Sequence, residues 1–275
     1  HSQGHLFISS CFLVMGHIRL GTLAATRRWI DVIELIAEQA DASKVAEAVT
    51  HAWEHAFNTV RDDVGFREAI WLLSQIGMAG KSANPAEHLN AAGIGVAGAK
   101  SVVEVAMGLS EAMENRLQTA HKRSDFGDLA QRALIGAVTA QIQKNNLPLL
   151  GSASEDVQGA LQNCGREKGF GELSREFFSR MTNECLSYFL SKTLTGQVGE
   201  GRRFKNMVRV QAFEDAMRTH CSEASEIVES FSGGWFSKHY FEEGGRIQRD
   251  SAEKFGWFGL EKMRRELGER ARDYA

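Results

Sequence analysis

Only 2 of the chain's 275 residues are proline, Pro85 and Pro148, whereas 27 are glycine. A chain of this length ordinarily carries about 14 prolines and about 19 glycines. Proline breaks helix interiors because it lacks a backbone N–H and its ring clashes with the preceding turn, so its scarcity permits long unbroken helices. It also argues against a sandwich of short strands with proline-rich turns. Hydrophobic residues make up 43% and charged residues 24%, the balance of a globular chain with one large or two modest cores. Disordered, collagen-like and disulfide-scaffold classes are excluded.

The net charge is -3, with both signs interleaved along the chain, so the dense basic footprint of an obligate nucleic-acid binder is missing. Cys11, Cys164, Cys185 and Cys221 show no CxxC spacing, and a reducing cytoplasm is the expected setting. No stretch reaches the roughly 20 apolar residues that cross a bilayer, so no membrane partner is expected. Leu6 to Met15 is apolar but lacks a preceding Lys or Arg and a small-residue cleavage site, which argues against a secretory signal. Met15 opens a more conventional start, so residues 1–14 are expected to be extraneous or disordered, with a buried edge strand as the alternative.

Helical periodicity recurs from about residue 26 onward. Thr26 is expected to cap a helix whose face carries Trp29, Ile30, Ile33, Ile36 and Ala37. Asp41 caps a second, reaching about Val60, with Val45, Val49, Ala52, Trp53, Ala56 and Val60 on one arc. A third carries Phe66, Ile70, Leu73 and Ile76 and ends at Gly77 and Gly80. Pro85 opens a short helix, 86–92, and glycines 93, 95 and 98 form a loop. Helices follow at 101–120, 124–144, 154–163 and 172–192, the last two separated by a glycine turn at 165–171. A helix of about 25 residues is expected from Met207 to Phe231, then an aromatic, glycine-rich loop, 232–245, and a final helix, 247–272. The fold class is therefore all-α, roughly nine or ten helices, orthogonal or two-layered with glycine-rich connections. Pro148 and Gly151 mark a boundary between subdomains 15–147 and 148–275, unless the two form one continuous domain.

Three constellations are candidates for function. His51-Ala52-Trp53-Glu54-His55 matches the inverted zinc-protease string H-x-x-E-H. Histidines four apart on a helix can share one zinc, with Glu54 as base for its bound water. Both lie opposite their helix's apolar arc, however, where solvent is the ordinary occupant, and no downstream motif supplies a third ligand. The second is Gly196 to Lys205, where glycines would let backbone amides approach an anion and Arg202, Arg203 and Lys205 supply charge for phosphate or nucleic acid. The bland reading is a flexible loop whose arginines face water or cap the next helix. The third is Ser232 to Gly245, which gathers Trp235, Phe236, Tyr240 and Phe241 around Lys238 and His239. It is either a lid folded onto the core or an aromatic anchor for a partner, with Trp235, Phe236, Lys238 and Tyr240 as its protein-binding residues.

Cys185 and Cys221 fall within apolar stripes and read as inert buried thiols. Cys164 sits near a glycine turn and is the one expected to reach the surface. No G-x-S-x-G string, kinase signature or glycosidase carboxylate pair is present, so no catalytic residues and no cofactor are assigned.

The strings Arg19-Leu20-Gly21 with Thr26-Arg27-Arg28-Trp29, then Trp71-Leu72-Leu73, Gly199 to Phe204, and Gly233-Gly234-Trp235-Phe236-Ser237-Lys238 resemble a family of uncharacterised helical bacterial proteins. That family occurs in anti-phage defence operons beside ATPases or nucleases, and the resemblance carries no catalytic residue across. It implies a non-catalytic accessory or adaptor subunit in a bacterial multi-protein complex, partnered by other products of its operon and acting in the cytoplasm. The alternatives are a zinc hydrolase built on His51, Glu54 and His55, and a nucleic-acid-binding module using Arg27, Arg28, Arg202, Arg203 and Lys205.

Overall fold

The computed structural model describes the backbone at residues 17–18, 27–96, 98–144 and 154–273, and the side chains there except at 17–18, 27, 53–60, 154, 192 and 270–273. The all-α expectation holds: eleven helices are present among the described residues. They are α1 (Arg27–Ala37), α2 (Ala42–Val60), α3 (Val64–Lys81), α4 (Pro85–Ala91), α5 (Val102–Ala120) and α6 (Asp125–Gln143). There follow α7 (Ser154–Cys164), α8 (Glu167–Thr195), α9 (Met207–Ala224), α10 (Glu226–Glu242) and α11 (Arg249–Asp273). Two short strands, β1 (His17–Ile18) and β2 (Arg123–Ser124), pair in parallel. Residues 1–14, the Thr26 cap and the Pro148–Gly151 break lie outside the described residues.

Where short polar residues precede an apolar run, the helices start as the sequence dictates. Asp41, Asp63, Asn84, Ser101, Ser124 and Asn206 each accept a hydrogen bond from a backbone N–H of the first turn that would otherwise lack a partner. Two of these caps are joined: the Ser124 hydroxyl donates to Asp63 Oδ2 at 2.5 Å while accepting from Gly127 N at 2.9 Å. The N-termini of α3 and α6 are thereby held together. Gly65 and Gly127 meet at this crossing, where a Cβ on Gly65 would lie 2.4 Å from the Gly127 Cα.

Helix α3 is apolar on nearly every side and is buried along most of its length, as befits a central element. It packs on α4, α5, α6, α7 and α11, while α8 packs on α6, α7, α9 and α10. The buried side chains form one core drawn from both sides of residue 148. An aromatic cluster occupies its middle: Phe170 stacks on Phe236 with centroids 4.2 Å apart, Trp235 stacks on Phe255 at 4.2 Å, and Phe178 meets Phe177 edge-on at 5.1 Å. Among the described residues no helix is long and apolar enough to cross a membrane.

Several boundaries differ from the sequence expectation, for a shared reason. Helix α3 runs through Gly77 and Gly80 to Lys81, α8 already includes Gly169 and Gly171, and the supposed loop 232–245 is helical as far as Glu242. At Gly77, Gly80, Gly169 and Gly233 a neighbour comes too close for a side chain, so these glycines serve packing inside a helix and do not end one. A Cβ on Gly77 would lie 2.6 Å from the Phe170 ring, and one on Gly233 would lie 2.4 Å from the Glu167 carbonyl oxygen. The expected 25-residue helix from Met207 is instead two helices, α9 and α10, meeting at the fully buried Ser225. On α1 the buried face is Trp29, Val32 and Ile36, while Ile30 is 48% exposed.

Candidate functional site

The three sequence constellations fare differently in three dimensions. His51 is exposed on α2, and the side chains of Glu54 and His55 lie outside the described residues. Among the described residues no three His, Cys, Asp or Glu side chains gather as a metal site.

The Gly196–Lys205 segment is a loop closed on itself, with Phe204 N donating to Gln197 O at 3.0 Å and Gly199 N to Phe204 O at 2.9 Å. Arg203 does not face an anion. Its half-buried guanidinium donates to the carbonyls of Ile36, at 3.0 Å, and Ala40, and lies over the Phe213 ring with 4.5 Å to the centroid. Those carbonyls belong to the C-terminal end of α1 and the residues just beyond it, where backbone acceptors lack helical donors and positive charge is favoured. Burial draws its pKa below the usual arginine value, and the nearby Asp41 carboxylate acts the other way. Arg203 is thus committed to the fold, whereas Arg202 and Lys205 are exposed.

The aromatic segment is corrected in the same way. Phe236 is fully buried and cannot meet a partner, and Trp235 is half-buried between Phe255 and His239. Tyr240 is half-buried, with Lys81 Nζ 5.8 Å from its ring centroid. Helix geometry turns these rings inward because α10 packs against α8 and α11. Lys238 stays exposed, and its neighbour Phe241 is 85% exposed.

Sequence reasoning missed a cleft of about 470 Å³ between α3, α4 and the turn leading into α11. Trp71, Gln75 and Met78 stand at i, i+4 and i+7 on α3, a spacing that places them along one side of the helix. His88, Ala91 and Ala92 contribute from α4 and its end, Arg116 from α5, and Gly245 and Arg246 from the turn. The volume falls within the range of small-molecule sites.

The walls are fixed by identifiable bonds. Arg116 Nη2 donates to the Ala92 carbonyl at 2.6 Å and Nη1 to Glu68 Oε2 at 3.4 Å. Glu68 also binds Arg249, whose Nε donates to Glu253 Oε1 at 2.9 Å and whose guanidinium lies 5.7 Å from the Trp71 ring centroid. On the other side Gly244 and Gly245 take φ of 73° and 82°, and Gly245 N donates to Tyr240 O at 2.7 Å. This left-handed closure suits glycine and ends α10. Ile247 is buried, with its N–H on Met78 Sδ at 3.2 Å. Arg246 therefore projects from a backbone pinned on both sides.

Two cations, Arg116 and Arg246, thus border the cleft with His88, and no carboxylate lines it among the described residues. Arg246 is exposed and unpaired among the described residues. Burial, and secondarily the charge of Arg246, hold the His88 imidazole below its usual pKa. Gln75, only 5% exposed, adds a polar side chain to the lining. The lining therefore presents positive charge to the cleft.

Compared with known proteins, the chain matches no family model, no curated protein and no solved structure.

Proposed function

We propose that the chain is a non-catalytic helical adaptor subunit of a bacterial multi-protein complex, docking a partner protein through the outer side of α10. The observation that carries this reading is Phe241, 85% exposed near the end of a well-packed helix. A phenylalanine left in water forgoes about 1.5–3 kcal/mol of burial energy, and aromatic side chains are enriched at the centres of protein interfaces. Gly234, Lys238 and Phe241 stand at i, i+4 and i+7, all exposed, so the ring lies beside a bare glycine patch and a cation. On this reading Lys238, one of the protein-binding residues expected from the sequence, contacts the partner from its exposed position, and Phe241 would take the anchoring role expected of Trp235 and Phe236. A role in anti-phage defence rests on the sequence resemblance. A cytoplasmic setting is supported by the three buried free thiols, Cys164, Cys185 and Cys221.

Co-expression with the products of neighbouring genes, followed by gel filtration, tests the reading. The wild-type chain is expected to co-elute with one of them and Phe241→Ala to elute alone with an unchanged melting temperature. A wild-type chain that stays solitary overturns it.

A further inference from the structure

We propose that the cleft between α3, α4 and the 244–247 turn is a binding site for a small phosphate-bearing ligand. The inference is independent of the docking role of α10, because it rests on different residues.

The cations carry the argument: Arg116 and Arg246 line one cleft with Gln75 and His88, and no carboxylate lines it among the described residues. Gln75 places a polar group on the cleft wall, on a helix whose other buried positions are apolar except for Glu68 and Ser74. There its NH2 group can donate to a ligand oxygen. Arg116 and Arg246 approach from separate elements and are held by independent contacts, Arg116 by Glu68 and Ala92, and the turn bearing Arg246 by Met78 and Tyr240. The single carboxylate paired with Arg116, Glu68, is shared with Arg249, so its charge is not available to neutralise Arg246 as well. Donors converging from α3, α5 and the turn, with the His88 imidazole as a further polar group, suit the several oxygens of a phosphate better than the two coplanar oxygens of a carboxylate. The volume of about 470 Å³ leaves room for the group that the phosphate esterifies.

Titration of the full chain with inorganic phosphate in chloride buffer, followed by amide chemical shifts, tests the site. Saturable shifts at residues 71–92 and 244–247 are expected, with affinity reduced about tenfold or more by Arg246→Ala, the loss of one charged hydrogen bond. Gln75→Met should weaken binding in the same direction while leaving the ligand-free melting temperature equal or higher, which separates a ligand contact from a structural one. Acetate should bind more weakly than phosphate. Absence of saturable shifts, unchanged affinity in both variants, or acetate binding as tightly as phosphate overturns the proposal.

Discussion

Gly80 of α3 and Gly165, between α7 and α8, face each other so closely that a Cβ on Gly80 would lie 2.3 Å from the Gly165 nitrogen and 2.6 Å from the Leu161 carbonyl oxygen. Both groups are backbone, which cannot rotate away as a long side chain would. The two elements approach at a distance that only a missing side chain permits.

Gly80→Ala should therefore cost about 1–3 kcal/mol, the range of overpacking changes in a tight core, although alanine is the better helix former. Gly234 provides the control, since a Cβ there meets nothing within 4 Å. Gly234→Ala should gain about 0.5–1 kcal/mol from helix propensity alone. Denaturant midpoints of the two variants measure both. Equal effects would show that the backbone contact does not constrain the crossing.

These glycines explain what was legible in the sequence and what was not. Helix starts were readable because a cap is a local feature: Asp41, Ser101 and Ser124 precede their helices by one residue and bond within the first turn. A glycine inside a helix looks the same in sequence as one that ends it. Gly77 and Gly233 are explained only by Phe170 and Glu167, which lie far away in the chain. The cleft was illegible for a similar reason, because its cations come from α5 and from the turn after α10. On α3 the local trace is the pair of polar residues Ser74 and Gln75 amid an apolar run, and Ser74, unlike Gln75, does not line the cleft.

Arg203 is expected to matter for folding and Arg202 is not. Removing the Arg203 guanidinium takes its donor from the Ala40 carbonyl, leaves the Ile36 carbonyl with the Gln39 N–H alone, and uncovers the Phe204 and Phe213 rings. Arg203→Ala should cost about 1–3 kcal/mol, typical of a lost charged hydrogen bond at a partly buried site. Lysine restores the charge but not the planar fork, so Arg203→Lys should recover only part of that. Arg202→Ala should fall within about 0.5 kcal/mol of wild type, as exposed substitutions do. Thermal melts of the three variants decide the matter, and a silent Arg203→Ala would refute the capping role.

The thiols give a chemical test of the core. Cys164, expected near the surface, is instead fully buried, with its Sγ 3.6 Å from the Ala160 carbonyl. Burial pushes Cys164 and Cys221 up to about 12, and burial also raises Cys185 well above the usual thiol value. Thiolate is the reactive form, so iodoacetamide at about pH 8, where an ordinary thiol is partly ionised, should leave these three peptides unmodified in the folded chain. All three should react in denaturant. Peptide-resolved mass spectrometry reads each site, and rapid native labelling of Cys164 would place it at the surface after all.

His88 ties the electrostatics of the cleft to stability. Its unfolded pKa is the ordinary 6.5, and in the folded chain burial and the neighbouring Arg246 cation lower it. Arg116 is a further cation on the cleft wall, with Trp71, Gln75 and Met78 completing the surroundings. Below pH 6.5 the unfolded chain binds this proton more readily than the folded one, so stability falls as pH drops through the folded value and is fully present above 6.5. His88→Gln removes the group, so the variant's stability relative to wild type should be higher at about pH 5.5 than at about pH 7.5. Arg246→Ala should raise the His88 pKa itself, which the imidazole proton shifts report directly. If the wild type and His88→Gln differ by the same amount at both pH values, the imidazole is not held neutral by its surroundings. An unmoved His88 titration in Arg246→Ala would mean that the two groups do not share the cleft.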